Sequence, residues 1–525
     1  MAKLNRNSAM ESPTEAREEE LRTAWEMEMF SQYDVKSRRR ESEHFRRHEF
    51  LGVRLQSYTD AVFAIVGTIL IAYLNQTVVP RLTDGSNSLQ QRAIDNFRFF
   101  SVYHFTFLHI SVIWLNHSRL FLVIERVNDV LIWMNMVFLY VVSFVPLAFG
   151  LLGEFSDTYE GIVIPSIVII LINTIMASMI WYVFRRKSFL LPSGMSDIHA
   201  KYFEWTMYFK LSITPIFVSL AIGFGKVSLL AGQVLFYSSL FVVIIPKVVA
   251  YCIWWRNKTD LNKLIVQLLS GTVSKDRIEF FTDGVYSIIA TLIILDVTTV
   301  GIPSWDAVNE KFNGSLVRAL SDNRIDYVYY FSTFWIISLL WFVHHSLFNF
   351  IKVLNPLMFL THQCSLSFVG VVPGSVALWS DIFRSNISDA DEATAIQIAV
   401  GAIAIVSLLQ FLLLALMSFA KDKCVDQSVF HYSGSSLYLL VKVAIIPTIC
   451  VIGFWCSMGS ESIRRHSFYI LYISIPLAFV FTNIMIKFTK LHVFCKYCWN
   501  KLQNVCCICT LFLCNCACIR FHKNL

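Results

Sequence analysis

Two short polar motifs stand at the mouths of long apolar stretches. Arg54-Leu-Gln-Ser-Tyr-Thr-Asp60 opens one, and Arg277-Ile-Glu-Phe-Phe-Thr-Asp283 opens the other. Asp60 and Asp283 fall several residues inside the expected membrane helices, where a lone carboxylate costs at least about 2.5 kcal/mol. Each therefore needs a partner or a water-filled niche. Arg54 cannot serve Asp60 on the same face, because six residues turn a helix by about 240°. Partners must come from other helices, and His117 and His344 are the candidates, since an imidazole can donate to or accept from such a network. The heads Arg54, Tyr58, Thr59, Asp60 and Arg277, Phe281, Thr282, Asp283 thus read first as devices that hold a helix in place and only second as ion contacts.

Behind each head runs a stripe of small, branched and hydroxyl residues. Ala61, Ile65, Thr68 and Ala72 fall on one helical face at i, i+4, i+7 and i+11, as do Gly284, Ile288, Thr291 and Leu295. Around an axis, a ring of Ile65 and Ile288 would make a narrow apolar constriction that closes by dewetting, and Thr68 and Thr291 would offer hydroxyls to a partly dehydrated ion. The same stripe could instead pack against neighbouring helices, and spacing alone does not choose. Neither a catalytic site, a cofactor nor a bound metal is expected: the chain has no Walker A, HExxH or GxSxG sequence, and neither a TVGYG filter nor an Arg-rich voltage-sensing helix.

The elements that position these residues occur twice. Arg54 to Thr68 matches Arg277 to Thr291 at an offset of 223. Trp114-Leu-Asn-His117-Ser-Arg-Leu-Phe121 matches Trp341-Phe-Val-His344-His-Ser-Leu-Phe348 at 227, and Lys210 with Pro215 matches Lys442 with Pro447 at 232. Three matches in one order mean a duplicated unit. About twelve apolar spans are expected, near 54–76, 98–119, 129–153, 161–184, 205–225, 229–255, 277–298, 326–350, 354–380, 395–419, 436–458 and 467–489. Six spans per unit is an even number, so the fold class is an all-α polytopic membrane protein built from two parallel repeats.

The domain reading is a tail at 1–50, a first channel repeat at 51–256, a linker at 257–276, a second repeat at 277–490 and a Cys-rich tail at 491–525. Charged residues are 15% of the chain against roughly 25% in soluble proteins, so lipid is the expected solvent. Basic clusters at Lys36–Arg47, Arg185–Lys187, Arg256–Lys263 and Lys487–Lys490 alternate with loops such as Glu154–Glu160, which holds no Lys or Arg. That pattern places both termini, the linker and the two tails in the cytosol and leaves no role for nucleic acid in the net charge of +7. The sequons at Asn313 and Asn386 then face a glycosylating compartment, although Asn257 begins a third on the cytosolic side. Eight of the thirteen cysteines crowd between Cys495 and Cys518, where S-palmitoylation is favoured over zinc binding.

The doubled Arg-x-x-x-aromatic-hydroxyl-Asp heads, the run Trp341–Phe348 and the run Lys311-Phe-Asn-Gly-Ser-Leu-Val-Arg-Ala-Leu-Ser321 resemble the transmembrane protein 175 family over roughly residues 50 to 490. That resemblance implies an endosomal and lysosomal cation channel. It implies a homodimer with four pore helices, two per chain, that conducts potassium and, at acidic luminal pH, protons. It also implies a constriction at Ile65 and Ile288, tuned by Thr68 and Thr291. The chain departs from the family's usual Phe-Ser-Asp head at Tyr58-Thr59 and Phe281-Thr282, where threonine keeps the hydroxyl. From the residues themselves two other readings stay open: a proton- or cation-coupled secondary transporter, which parallel repeats and intramembrane carboxylates also suit, and a membrane scaffold whose polar residues only join helices.

Overall fold

The computed structural model describes residues 52–83, 87–191, 196–241, 275–300, 302–322, 324–385, 388–420, 424–426, 433–464 and 473–485, with a few isolated positions between them. The two tails, most of the linker, the sequon at Asn386 and the Cys-rich segment lie outside the described residues. Twelve principal helices carry the fold. In the first repeat they are α1 (Gly52–Thr83), α2 (Phe97–Leu122), α3 (Asp129–Glu154), α4 (Tyr159–Arg185), α5 (Asp197–Gly225) and α6 (Leu229–Ser238). The second repeat has α7 (Lys275–Val300), α8 (Arg324–Phe348), α9 (Pro356–Phe383), α10 (Asp389–Ser418), α11 (Ser433–Ser457) and α12 (Ile473–Met485). Nine of the helices described are long and apolar enough to cross a bilayer. The expected sixth, seventh and twelfth spans coincide with α6, α7 and α12, which are not among those nine. No strand forms among the described residues beyond one isolated bridge, Ile351 to Val425.

The local signals that shape one repeat recur in the other. Asn128 caps α3 by accepting from Leu131 N (3.0 Å), and Asn355 caps α9 by accepting from Met358 N (2.8 Å). Both third helices then break at matching points. A turn at Ser143–Phe144 precedes Pro146, and Gly370 precedes Pro373, at the offset of 227 that joins the tryptophans. A glycine is required at 370, because a Cβ there would collide with the Tyr103 hydroxyl and Ile71. The fifth helices carry interior prolines, Pro215 and Pro447. α1, unlike its counterpart α7 among the described residues, carries a π-helical stretch at Leu74–Val78 near its end.

The two repeats join along α2 and α9. The Tyr103 hydroxyl donates to Ser367 O (3.0 Å), Ser111 Oγ donates to Gln363 Oε1 (3.0 Å), and the His104 ring lies 4.2 Å from that of Phe368. At the end away from the heads, buried Asp391 at the start of α10 accepts from Leu89 N (2.8 Å) and pairs with Arg92 (3.2 Å), tying the α1–α2 connection to the second repeat. Asn313 ends a short helix, Trp305–Phe312, in the left-handed region (φ 51°) and is exposed in the α7–α8 connection.

Candidate functional site: the helix heads and their supports

Asp60 is 2% exposed, and its Oδ1 accepts from Trp114 Nε1 (2.7 Å) and from Arg277 of the other repeat (2.6 Å). Arg277 also donates to Gln56 Oε1 (2.8 Å) and Ser118 Oγ (3.2 Å), so one guanidinium clamps α1, α2 and its own helix α7 at a single level. Phe281, fully buried, stacks on Trp114 with ring centroids 4.7 Å apart. One turn deeper, a Cβ added at Gly284 would lie 2.9 Å from the Ala64 Cβ, so α1 and α7 approach too closely there for any side chain on α7. In the second repeat, Trp341 Nε1 donates to Asp283 Oδ1 (2.7 Å), the counterpart of the Trp114–Asp60 bond. Asp283 is exposed, and no ion pair to it forms among the described residues.

The expectation that His117 and His344 partner the carboxylates is corrected by this geometry: the indoles, not the imidazoles, donate to Asp60 and Asp283. His117 instead meets Asn135 Oδ1 on α3 through Nε2 (2.8 Å). Asn135 Nδ2 donates to Thr59 Oγ1 (3.0 Å), and Thr59 donates to Leu55 O (2.8 Å). In the second repeat the relay runs from Thr282, which donates to Ile278 O (2.7 Å), to His362 Nε2 (2.9 Å), with the rings of His362 and His344 stacked at 4.8 Å. The Thr oxygen can only accept once its proton is spent on the helix, so His362 Nε2 carries the proton in this contact. Asn135 and His362 stand at the 227 offset, one uncharged and one protonatable, in the same structural place. Extending that offset by one helix would have found them.

The stripe itself divides. Ala61 is exposed, Ile65 is 48% exposed, Tyr58 and Ile69 are exposed on the same side of α1, and Ala72 is half-buried. Thr68 is fully buried and donates to Ala64 O (2.8 Å) and Ile65 O (3.0 Å), so within one chain it lies off the open face. On α7, Gly284 and Ile288 are half-buried, while Thr291 is exposed and makes the same two bonds to its own helix. The Leu295 side chain lies outside the described set.

The chain matches the family model described as endosomal/lysosomal potassium channel TMEM175 at residues 54–146 and again at 277–373. Those two matches begin at the two head arginines. Residues across most of the chain align with curated relatives: 29% identity over 444 residues, 83% of this chain and 87% of the relative, with the endosomal/lysosomal proton channel TMEM175 of Gallus gallus. The protein of the same name from Homo sapiens is 27% identical over 441 residues, 82% of this chain and 86% of the relative. The chain thus carries the TMEM175 family match once in each repeat and is similar to TMEM175 channels over about four fifths of its length. A potassium channel of Streptomyces collinus is similar over a shorter stretch, 32% identical over 102 residues, which is 19% of this chain and 48% of that protein. In TMEM175 terms, the matched segments are the first three helices of each repeat, the helices that carry every head residue, both tryptophans, both histidines and the Asn135/His362 pair. The fourth to sixth helices of each repeat fall outside the family match.

Proposed function

We propose that this chain is a cation channel of endosomal and lysosomal membranes that passes potassium and, at acidic luminal pH, protons. In this reading α1 and α7 line the pore, Ile65 and Ile288 form its constriction, and Thr68 and Thr291 tune it from one turn further on. Both termini face the cytosol. The observation that carries the reading is the unpacked stripe of Tyr58, Ala61, Ile65 and Ile69 on a helix whose other faces are buried. A long membrane helix that keeps one apolar stripe open beside a clamped polar head needs something to face, and an axis shared with copies of itself satisfies that need. The relatives, an endosomal/lysosomal proton channel and a potassium channel by name, supply the ion and the compartment.

The pore is completed by a second copy. Within one chain, the α1 face bearing Asp60 and Ala64, together with Trp114 of α2, receives Arg277, Phe281 and Gly284. The repeat-equivalent faces are Asp283, Ser287 and Trp341 on one side and Arg54, Tyr58 and Ala61 on the other. The first two of the former set and all three of the latter are exposed, and Trp341 is half-buried. A two-fold axis brings these sets together and closes a ring of four helices.

Patch-clamp recording from enlarged endolysosomes, comparing wild type with Ile65→Asn plus Ile288→Asn under bi-ionic potassium and sodium, tests the function. A potassium-selective current that grows or loses selectivity in the double variant is expected. A wild type without single-channel current, or a current untouched by the substitutions in folded protein, would overturn the reading.

A further inference from the structure

The first repeat holds a small polar cavity at a place where the second repeat has apolar side chains. His109, Asn116, Asn173, Thr214 and Ser239 line it together with Ile113, Ile169 and other apolar side chains from α2, α4, α5 and the end of α6, and about 10 Å³ is open to the centre of a water molecule. None of these residues lies on α1 or α7. His109 is 3% exposed and stands midway along α2. Its Nδ1 is buried without a hydrogen-bond partner, while its Nε2 reaches Ser239 Oγ only at 3.5 Å. Asn173 spends an amide proton on Ile169 O (2.8 Å) and keeps its side-chain oxygen as an acceptor.

The second repeat shows what this fold does without the cavity. At the offset of 227, His109 and Asn116 become Ile336 and Val343, and at 232, Thr214 becomes Ile446. All three are buried at 0 to 1% exposure. The same position in the same architecture is therefore packed with hydrocarbon in one repeat and lined with three polar groups in the other. Polar groups at membrane depth require partners, and the protein leaves His109 Nδ1 without one. The open volume sits at the threshold for one water molecule, and the site offers the two to four polar partners that a buried water needs.

We infer that this cavity is a buried hydration site, holding one ordered water between His109 Nδ1 and the side chains of Asn116, Asn173 or Thr214. The first repeat thereby carries a hydrated imidazole away from the pore stripe, and the second does not. Since α2 also carries Trp114 and His117, the water would sit against the helix that supports the first head.

A structure of the full-length protein in lipid nanodiscs, at a resolution that shows ordered water, tests this directly. One density peak within hydrogen-bond distance of His109 Nδ1 and of at least one of the three partner side chains is expected. An empty cavity, or a site that takes up xenon under gas pressure, overturns the inference, because xenon settles in dry apolar cavities. The triple substitution His109→Ile, Asn116→Val, Thr214→Ile transplants the second repeat's side chains. It is expected to abolish the peak with the unfolding midpoint unchanged or raised, and a peak that survives it would overturn the assignment of partners. The wild-type density decides the matter even where the triple variant does not fold.

Discussion

Replacing Arg277 should damage the protein more than replacing Asp60, and replacing both should damage it less than the sum. The pair is buried, with Asp60 at 2% and Arg277 at 9% exposure and 2.6 Å between charged atoms. Removing one member of such a pair leaves an uncompensated charge and costs about 3–5 kcal/mol. Arg277→Met strands Asp60 with the Trp114 bond alone and with Oδ2 already lacking any hydrogen-bond partner, so about 4 kcal/mol is the expected loss. Asp60→Asn keeps an acceptor for Trp114 and leaves Arg277 held by Gln56 and Ser118. About 2 kcal/mol is expected there, the size of one charge-assisted hydrogen bond. The double variant removes both charges together, and a coupling of about 2–3 kcal/mol should appear. Denaturant titration in detergent micelles, run as a double-mutant cycle, measures it. Additive losses within about 0.5 kcal/mol would show that the two groups do not hold each other, and the clamp between repeats would have to be sought elsewhere.

Asn135→Ala should cost about 1–3 kcal/mol by stranding Thr59 and His117 in a buried site, whereas Asn135→His and His362→Asn, which exchange the two repeats' solutions, should each cost less; the same titration ranks the three. Gly284→Val drives a branched side chain into Ala64, so a loss of about 1–3 kcal/mol and a changed single-channel conductance are expected. Thermal unfolding and single-channel recording check it, and an unaltered conductance would separate the α1–α7 approach from the pore. Asp283→Asn together with Tyr58→Ala should lower the dimer fraction in sedimentation or mass photometry while leaving the Trp114–Asp60 half of the site intact; a dimer unaffected by both would place the second copy on another face.

The heads and the duplication were legible because the same Arg, Thr, Asp, Trp and His recur in the same order in both repeats. Who partners the carboxylates was also written in the chain. A tryptophan indole only donates, so Trp114, fully buried, and Trp341, half-buried, each call for an acceptor, yet their value as repeat markers hid that requirement. Asn135 and His362 escaped because matching by identity passes over positions where the repeats differ, which is where two side chains of different chemistry fill one role. The clamp by Arg277 was beyond reach, since it depends on which repeat's α1-type helix stands beside which. For the same reason the burial of Thr68 could not be read from its spacing. A stripe at i, i+4, i+7, i+11 spans enough of the helix circumference that its edge residues turn into the neighbouring contact once a neighbour is present.

The inequality between Thr68 and Thr291, one buried and one exposed, follows from a chain that closes only one of two equivalent contacts. The face of α1 that carries Asp60, Ala64 and Thr68 is covered by α7, and the matching face of α7 with Asp283, Ser287 and Thr291 is open. Sequence differences alone do not account for this, because both faces carry the same head acid, the same threonine and the same tryptophan bond. What differs is that α7 packs on one face, and no described helix packs on the other. In the proposed dimer the second copy's α1 would bring Arg54 toward Asp283 and Tyr58 toward Trp341, as Arg277 and Phe281 meet Asp60 and Trp114. Tyr58 in place of phenylalanine then puts a phenol hydroxyl at the seam between copies, where water or Asp283 can accept its proton, so the contact between chains is built wetter than the contact within one.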